Sequence, residues 1–257
     1  MGALALTLRQ ARFDMKAFFR NPAAAFFTFV FPLMFLVIFN LVFGNADIEV
    51  PGGTVDTSTF YVPAILALSV ISACYTNIAI GISFSRDRGI LKRVRGTPLP
   101  PLAFIAGRVL QATGVAIILV TIVLAMGVVF YGVDLPGETF PAFVVTLIVG
   151  AASFCALGLA VTCIIPNADA SPAVVNASIL PLLFISNVFI PTSQAPSWLN
   201  DFASLFPVAH FASALHAAFN PFTVGSGFEP KDLAVMAAWG LLGLLISVRF
   251  FTWEPRH

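Results

Sequence analysis

The sequence predicts an all-α membrane protein. It would have six transmembrane helices, an N-terminal interfacial amphipathic helix, a short cytoplasmic helix between spans 2 and 3, and outer half-helices before span 6. Three observations carry this. Of 257 residues, 59% are hydrophobic and only 10% charged, against about 25% charged in ordinary globular chains; the mean hydropathy is +0.96. Six stretches (22–43, 60–84, 109–131, 140–165, 170–190 and 233–248) contain no Asp, Glu, Lys or Arg. Threading the chain through a bilayer along these runs puts 12 of the 13 Lys and Arg residues on one side. The composition excludes disorder, a disulfide-built secreted module and a conventional soluble enzyme. A net charge of +1 gives no electrostatic case for nucleic acid.

The basic side is expected to be cytoplasmic, so both termini are placed inside a cytoplasmic (inner) membrane as one multi-pass domain, 1–257. Only Lys231 is then an outer cation, beside eight outer acids: Asp47, Glu49, Asp56, Asp134, Glu138, Asp201, Glu229 and Asp232. β-Barrel strands are disfavoured, because the apolar runs lack an alternating pattern with a period of about 10 residues.

Taken in order, residues 4–20 read as an amphipathic helix. At about 100° per residue, Arg9, Arg12, Lys16 and Arg20 fall on one arc, beside Leu4, Leu8, Ala11, Met15, Phe18 and Phe19. Two readings stand: an anchor against anionic headgroups, or a docking surface for a cytoplasmic partner. Four cations and an acid in the first 20 residues argue against a cleaved signal peptide. Span 1 is 22–43 and span 2 is 60–84, where Ser69, Ser72, Thr76 and Ser83 form a polar stripe.

The following loop crowds Arg86, Asp87, Arg88, Lys92, Arg93 and Arg95 into ten residues, and Pro98, Pro100 and Pro101 stop any helix near Arg95. A short charged helix and a rigid turn suit transmission of force from outside the membrane; topogenic charge alone is the plainer reading. Spans 3 and 4 are 109–131 and 140–165. Cys74, Cys155 and Cys163 all lie in spans and read as small packing residues. Span 5, 170–190, carries Asn176, Leu183 and Asn187 on one stripe, with Pro181 as a kink. Helix packing by small and hydrogen-bonding residues explains either stripe equally well. Prolines 191, 196, 207 and 221 punctuate the outer segment into half-helices near 196–206 and 208–220. His210 and His216 are too far round a helix from each other to suggest a metal site. Span 6 covers about 232–250, with Arg249 snorkelling to the headgroups.

Several chemistries have no carrier here. There is no H-E-x-x-H, no G-x-S-x-G and no Gly-Lys of a P-loop. The six runs lack the ionisable group that ion-coupled transporters place within the membrane. Energy for uphill transport would have to enter from another polypeptide. A stand-alone ion-coupled secondary transporter and a non-transporting scaffold or assembly factor are the alternatives.

The order of these features resembles the ABC type-2 exporter permeases. Arg20-Asn21-Pro22 and Phe31-Pro32 are similar to the family's start of span 1. Asp87-Arg88-Gly89, Leu91-Lys92-Arg93 and Thr97-Pro98-Leu99 are similar to its coupling loop, with Ile90 where Thr is usual. Phe189-Ile190-Pro191, Ala195-Pro196-x-Trp198-Leu199 and Pro207 are similar to its outer segment. Among such permeases the drug-resistance, daunorubicin-exporter-like type is the nearest likeness. The resemblance implies that the helix between spans 2 and 3 is a coupling helix. It also implies pairing with a second permease copy or paralogue, and two copies of an ABC ATPase that hold ATP and Mg, with no cofactor on this chain. ATPase coupling would fall to Arg9, Arg12, Lys16, Arg20, Arg86, Asp87, Arg88, Gly89, Lys92, Arg93 and Arg95. A cavity for a small amphipathic substrate (drug, lipid or secondary metabolite) would be lined by Ser69, Ser72, Thr76, Asn176, Leu183 and Asn187.

Overall fold

The computed structural model describes residues 2–44, 46–97, 99–189 and 196–254. Pro98, Ile190, Pro191 and Ala195, all used in the sequence reading, lie outside the described residues. The chain is almost wholly helical. Helix α1 (Ala3–Phe19) ends where the Arg20 N–H bonds back to the Lys16 carbonyl and the Asn21 N–H to the Phe18 carbonyl. Asn21 then caps α2 (Pro22–Phe43) by accepting from the Ala24 N–H, and Pro22 occupies the first turn, where no donor is needed. In α2 only Pro32 and Leu36 are buried. Its phenylalanines at 26, 27 and 31 face outward, as on a helix meant for lipid or another protein.

A short antiparallel hairpin follows, β1 (Asp47–Val50) with β2 (Gly53–Asp56), pairing Asp47 with Asp56 and Val50 with Gly53. It was not foreseen as strand. Asn220 donates to the Pro51 carbonyl at 2.9 Å, which latches the hairpin to the far outer segment.

The centre of the bundle is one long span of 31 residues, Thr57–Asp87. It consists of α3 (Thr57–Ile71), a π-helical turn (Ser72–Thr76) and α4 (Asn77–Asp87). All of α3 except Ser58 and Thr59 is buried, because α2, α6 (Pro101–Tyr131), α7 (Phe140–Val161) and α10 (Pro207–Phe219) surround it. The hairpin therefore sits at one end of the bundle. At the other, Gly89 in left-handed conformation (φ 68°) leads into the short α5 (Ile90–Arg95).

Span 3 begins at Pro101 instead of 109, so Arg108 belongs to a helix rather than to the basic loop. The proline itself sets this start. Span 5 is shorter than expected: α8 (Ser171–Ile185) has 15 residues, below the ~17 that cross a bilayer. Next come α9 (Ser197–Ala203) and α10, meeting at 101°, and finally α11 (Pro230–Phe250). Among the described residues, five helices are long and apolar enough to cross a membrane, and α9 with α10 make a bent sixth candidate.

Glycines let α11 lie against α7. A Cβ on Gly243 would come within 3.0 Å of Ala156 backbone, and one on Gly240 within 2.8 Å of Ser153 Oγ. Ser153 Oγ also donates to the Met236 carbonyl at 2.7 Å. Small residues plus a hydroxyl bond are what close helix contact in lipid requires. His210 adds a tie, Nδ1 lying 2.7 Å from Asp232 and Nε2 2.8 Å from the Ser204 carbonyl. Cys74, Cys155 and Cys163 are all buried.

Candidate functional site

The polar chemistry concentrates at the end of the bundle that carries α5. Both chain ends come here: α1 packs along α6, and the Trp253 ring lies 6.3 Å from Phe104 in the first turn of α6. The focus is Ser85-Arg86-Asp87, the last turn of α4.

Arg86 is only 1% exposed. Its Nη1 donates to the Thr162 carbonyl at 2.9 Å and Nη2 to the Ile165 carbonyl at 2.6 Å. These carbonyls belong to the end of α7 and the turn beyond, where helix geometry leaves acceptors without N–H partners. Asp87 accepts from the Ala168 N–H at 2.5 Å and so pins the turn leading into α8. Ser85 reaches the opposite way. Its Oγ donates to the Gly81 carbonyl at 2.7 Å and accepts from Arg108 Nη2 at 2.9 Å. Arg108 Nε in turn lies 3.6 Å from Asp14 Oδ2 on α1, to which Gln10 Nε2 donates at 3.0 Å. Burial pushes the Asp14 carboxyl above its ordinary value, opposed by the Arg108 charge and the Gln10 bond. Three consecutive residues thus join α4 to α7, α8, α6 and α1.

Beyond this node the chain reverses at Gly89, and α5 is held by Leu91, at 0% exposure, with Val94 packed beside it against the core. Arg88, Lys92, Arg93 and Arg95 are exposed. Thr97 closes the helix by donating to the Val94 carbonyl at 2.7 Å. On α1, Arg9, Arg12, Lys16 and Arg20 are all exposed as well. The arrangement is a small cationic foot on a long central shaft, with the ankle bonded to four other helices. A push on the foot has defined places to go.

Two groups among the expected contact residues behave differently. Arg86 and Asp87 do not face outward; their side chains are spent inside the chain, which makes Arg86 a correction to the expectation of a surface cation. Asp14, Ser85 and Arg108 were not singled out in the sequence. Asp14 is the lone acid before Asp47, a signal available but not used.

The expected cavity stripes do not assemble within this chain. Ser69 is buried and donates to its own helix at Ile65, 2.7 Å away; Ser83 does likewise to Ala79 at 2.8 Å. Ser72 and Thr76 are half-buried at the π turn. Asn176 is exposed on α8 while Leu183 is buried. Asn187 lies past the end of α8, in left-handed conformation at φ 60°. It lines instead a cavity of about 660 Å³ at the hairpin end, together with Glu49, Phe60, His216 and Glu229. There His216 Nε2 is 3.0 Å from the Asn187 carbonyl, and its ring stacks on Phe60 at 4.5 Å. Among the described residues no group of His, Cys, Asp and Glu could hold a metal ion.

The model of the ABC-2 type transporter family matches residues 6–220, from the first turns of α1 to the end of α10. The chain belongs to the ABC-2 type transporter family. Its curated relatives are distant permeases. The chain is 25% identical over 263 residues to the daunorubicin resistance ABC transporter permease protein DrrB1 of Streptomyces coeruleorubidus, covering 99% of this chain and 89% of that protein. It is 24% identical over 220 residues to the probable doxorubicin resistance ABC transporter permease protein DrrC of Mycobacterium tuberculosis (strain ATCC 25618 / H37Rv), covering 82% and 76%. With the probable multidrug ABC transporter permease YbhR of Escherichia coli (strain K12) it shares 24% identity over 156 residues, 61% of this chain but only 42% of that protein. The family match takes in the polar node and α5 of this ABC-2 permease and stops short of α11.

Proposed function

We propose that this chain is the pore-forming permease subunit of an ATP-driven exporter that moves amphipathic or hydrophobic compounds out across the cytoplasmic membrane. ATP and Mg are held by a separate ATPase, two copies of which serve two permeases. The observation that carries this reading is the α5 foot. Three exposed cations stand on a helix anchored by Leu91, with Arg88 exposed just before it, directly below a node that leads to α1, α6, α7 and α8. Such a foot suits an acidic groove on a cytoplasmic partner better than a lipid headgroup layer, because its root is rigid and internally bonded.

In this reading ATP-driven closure of the ATPases moves α5 and α1. The node passes that movement to the far ends of α7 and α8, and the second permease completes the translocation path. The exposed faces of α2 and α8 are the surfaces offered to that second copy, with Asn176 lining the path. Similarity to drug-resistance permeases supports an amphipathic cargo.

The test is reconstitution. Vesicles holding this chain and its ATPase should accumulate an amphipathic dye in their lumen only with ATP and Mg outside, and replacing Asn176 with Leu should alter the range of dyes moved. Uptake driven by a proton or sodium gradient, by the chain alone, would overturn the reading in favour of a secondary transporter.

A further inference from the structure

A groove of about 690 Å³ runs between α1 and α6, and it belongs neither to the polar node nor to the α5 foot. One wall carries Arg12, Lys16 and Arg20; the other carries Leu110, Gln111 and Gly114. The three cations recur every four residues, so they stack along one helix face about 6 Å apart. All three are exposed, and among the described residues no carboxylate lies within ion-pair distance of them. The opposite wall is apolar and open: Leu110 is exposed, and Phe19 continues it at the end of α1. Gly114 lets Met15 of α1 lie close against α6 at the groove floor, since a Cβ there would meet the tip of Met15 at 2.8 Å.

A second observation points to an occupant. Gln111 lines this groove and is only 2% exposed, yet its Nε2 has no hydrogen-bond partner among the described residues. A buried amide N–H left without an acceptor is costly. The missing acceptor should come with whatever fills the groove. The occupant must then be anionic at one end, apolar along its length, and rich in acceptor oxygens with no need of donors. A phosphodiester with ester-linked acyl chains has all three properties.

We infer that the groove between α1 and α6 is a binding site for one anionic phospholipid. Its phosphate is held by Arg12, Lys16 and Arg20, its acyl chain lies on Leu110, Gly114 and Phe19, and an ester or phosphate oxygen accepts from Gln111. The site does not depend on the transport reading. A chain that moved nothing would still hold the lipid.

The test is retention of lipid by the purified full-length chain, read by native mass spectrometry after exchange into equimolar phosphatidylglycerol and phosphatidylcholine of identical acyl chains. The wild-type chain should keep one phosphatidylglycerol, about tenfold over phosphatidylcholine, a ratio equivalent to ~1.4 kcal/mol. The triple exchange R12Q/K16Q/R20Q, confined to exposed side chains, should erase that preference. Gly114→Leu, which fills the groove and leaves the cations in place, should lower retention of both lipids. Dodecyl phosphate should displace the bound lipid, and inorganic phosphate at the same concentration should not. Equal retention of the two lipids by the wild-type chain, an unchanged preference in the triple variant, or unchanged retention by Gly114→Leu would overturn the site. Displacement by inorganic phosphate as effective as by dodecyl phosphate would make it a free-anion site.

Discussion

Arg86 shows how burial changes what a charge is for. In sequence it is one of five cations in a basic loop; in the fold it closes the C-terminal end of α7 from a neighbouring helix. Removing it strands acceptors in the interior, so Arg86→Met should destabilise the chain by about 3 kcal/mol. Arg86→Lys should recover little, because a single ammonium cannot reach two carbonyls in a fork. The melting temperature of the purified chain, set against Arg95→Met as an exposed control, checks both.

Asp14 gives the opposite lesson. Its carboxyl is raised above 3.8 by burial, so the unfolded chain releases that proton more readily than the folded one. Between 3.8 and the raised value, the docked form of α1 binds more protons. Its stability therefore increases as pH falls through that window and decreases as pH rises through it. Protection from hydrogen exchange across residues 3–19, taken relative to the intrinsic rate at each pH, should rise slightly on acidification, and Asp14→Asn should abolish the rise. Lower protection at lower pH is the contrary result, and would mean that the Arg108 ion pair, and not burial, governs this group.

At the level of elements, what could be read in the sequence was set by how strongly each segment obeys one rule. Absence of charge marked the apolar spans to within a few residues at α2 and α7. It misjudged α6 by eight residues, because Arg108 was assigned to the loop although Pro101 starts the helix. The hairpin was missed because strands of four residues leave no periodicity beyond their Pro51-Gly52 turn. The stripe on span 2 is not a single face of the helix, for a physical reason. A regular 100° step does not hold across the π turn at Ser72–Thr76, where an inserted residue rotates everything downstream. Moreover, a helix buried nearly all round has no single inward face to find. Glycine spacing was the unused signal for the α7–α11 contact. Gly243→Val should force Ala156 backbone away and lower stability by about 1–3 kcal/mol, read as a fall in the thermal midpoint. Gly137→Val, where nothing lies within 4 Å of the added carbon, should change little.

Across the whole molecule, charge is sorted by end. The hairpin end carries Glu49 and Glu229 around its cavity; the α5 end carries the cationic foot and the α1 cations. Between them runs one unbroken span of 31 residues, joined at its base to four other helices. In the proposed function α5 is the entry point for force, the exposed cations contact a partner, and the buried ones transmit within the chain. Reversing Arg88, Lys92 and Arg93 to Glu removes the contact without touching Arg86, Asp87 or Ser85. The measurement that bears most directly on this account is ATP hydrolysis by the partner ATPase reconstituted with that triple variant in vesicles. The account predicts normal insertion and wild-type thermal stability, with stimulation of the ATPase and ATP-driven efflux both lost. Stimulation and efflux at wild-type levels would contradict it.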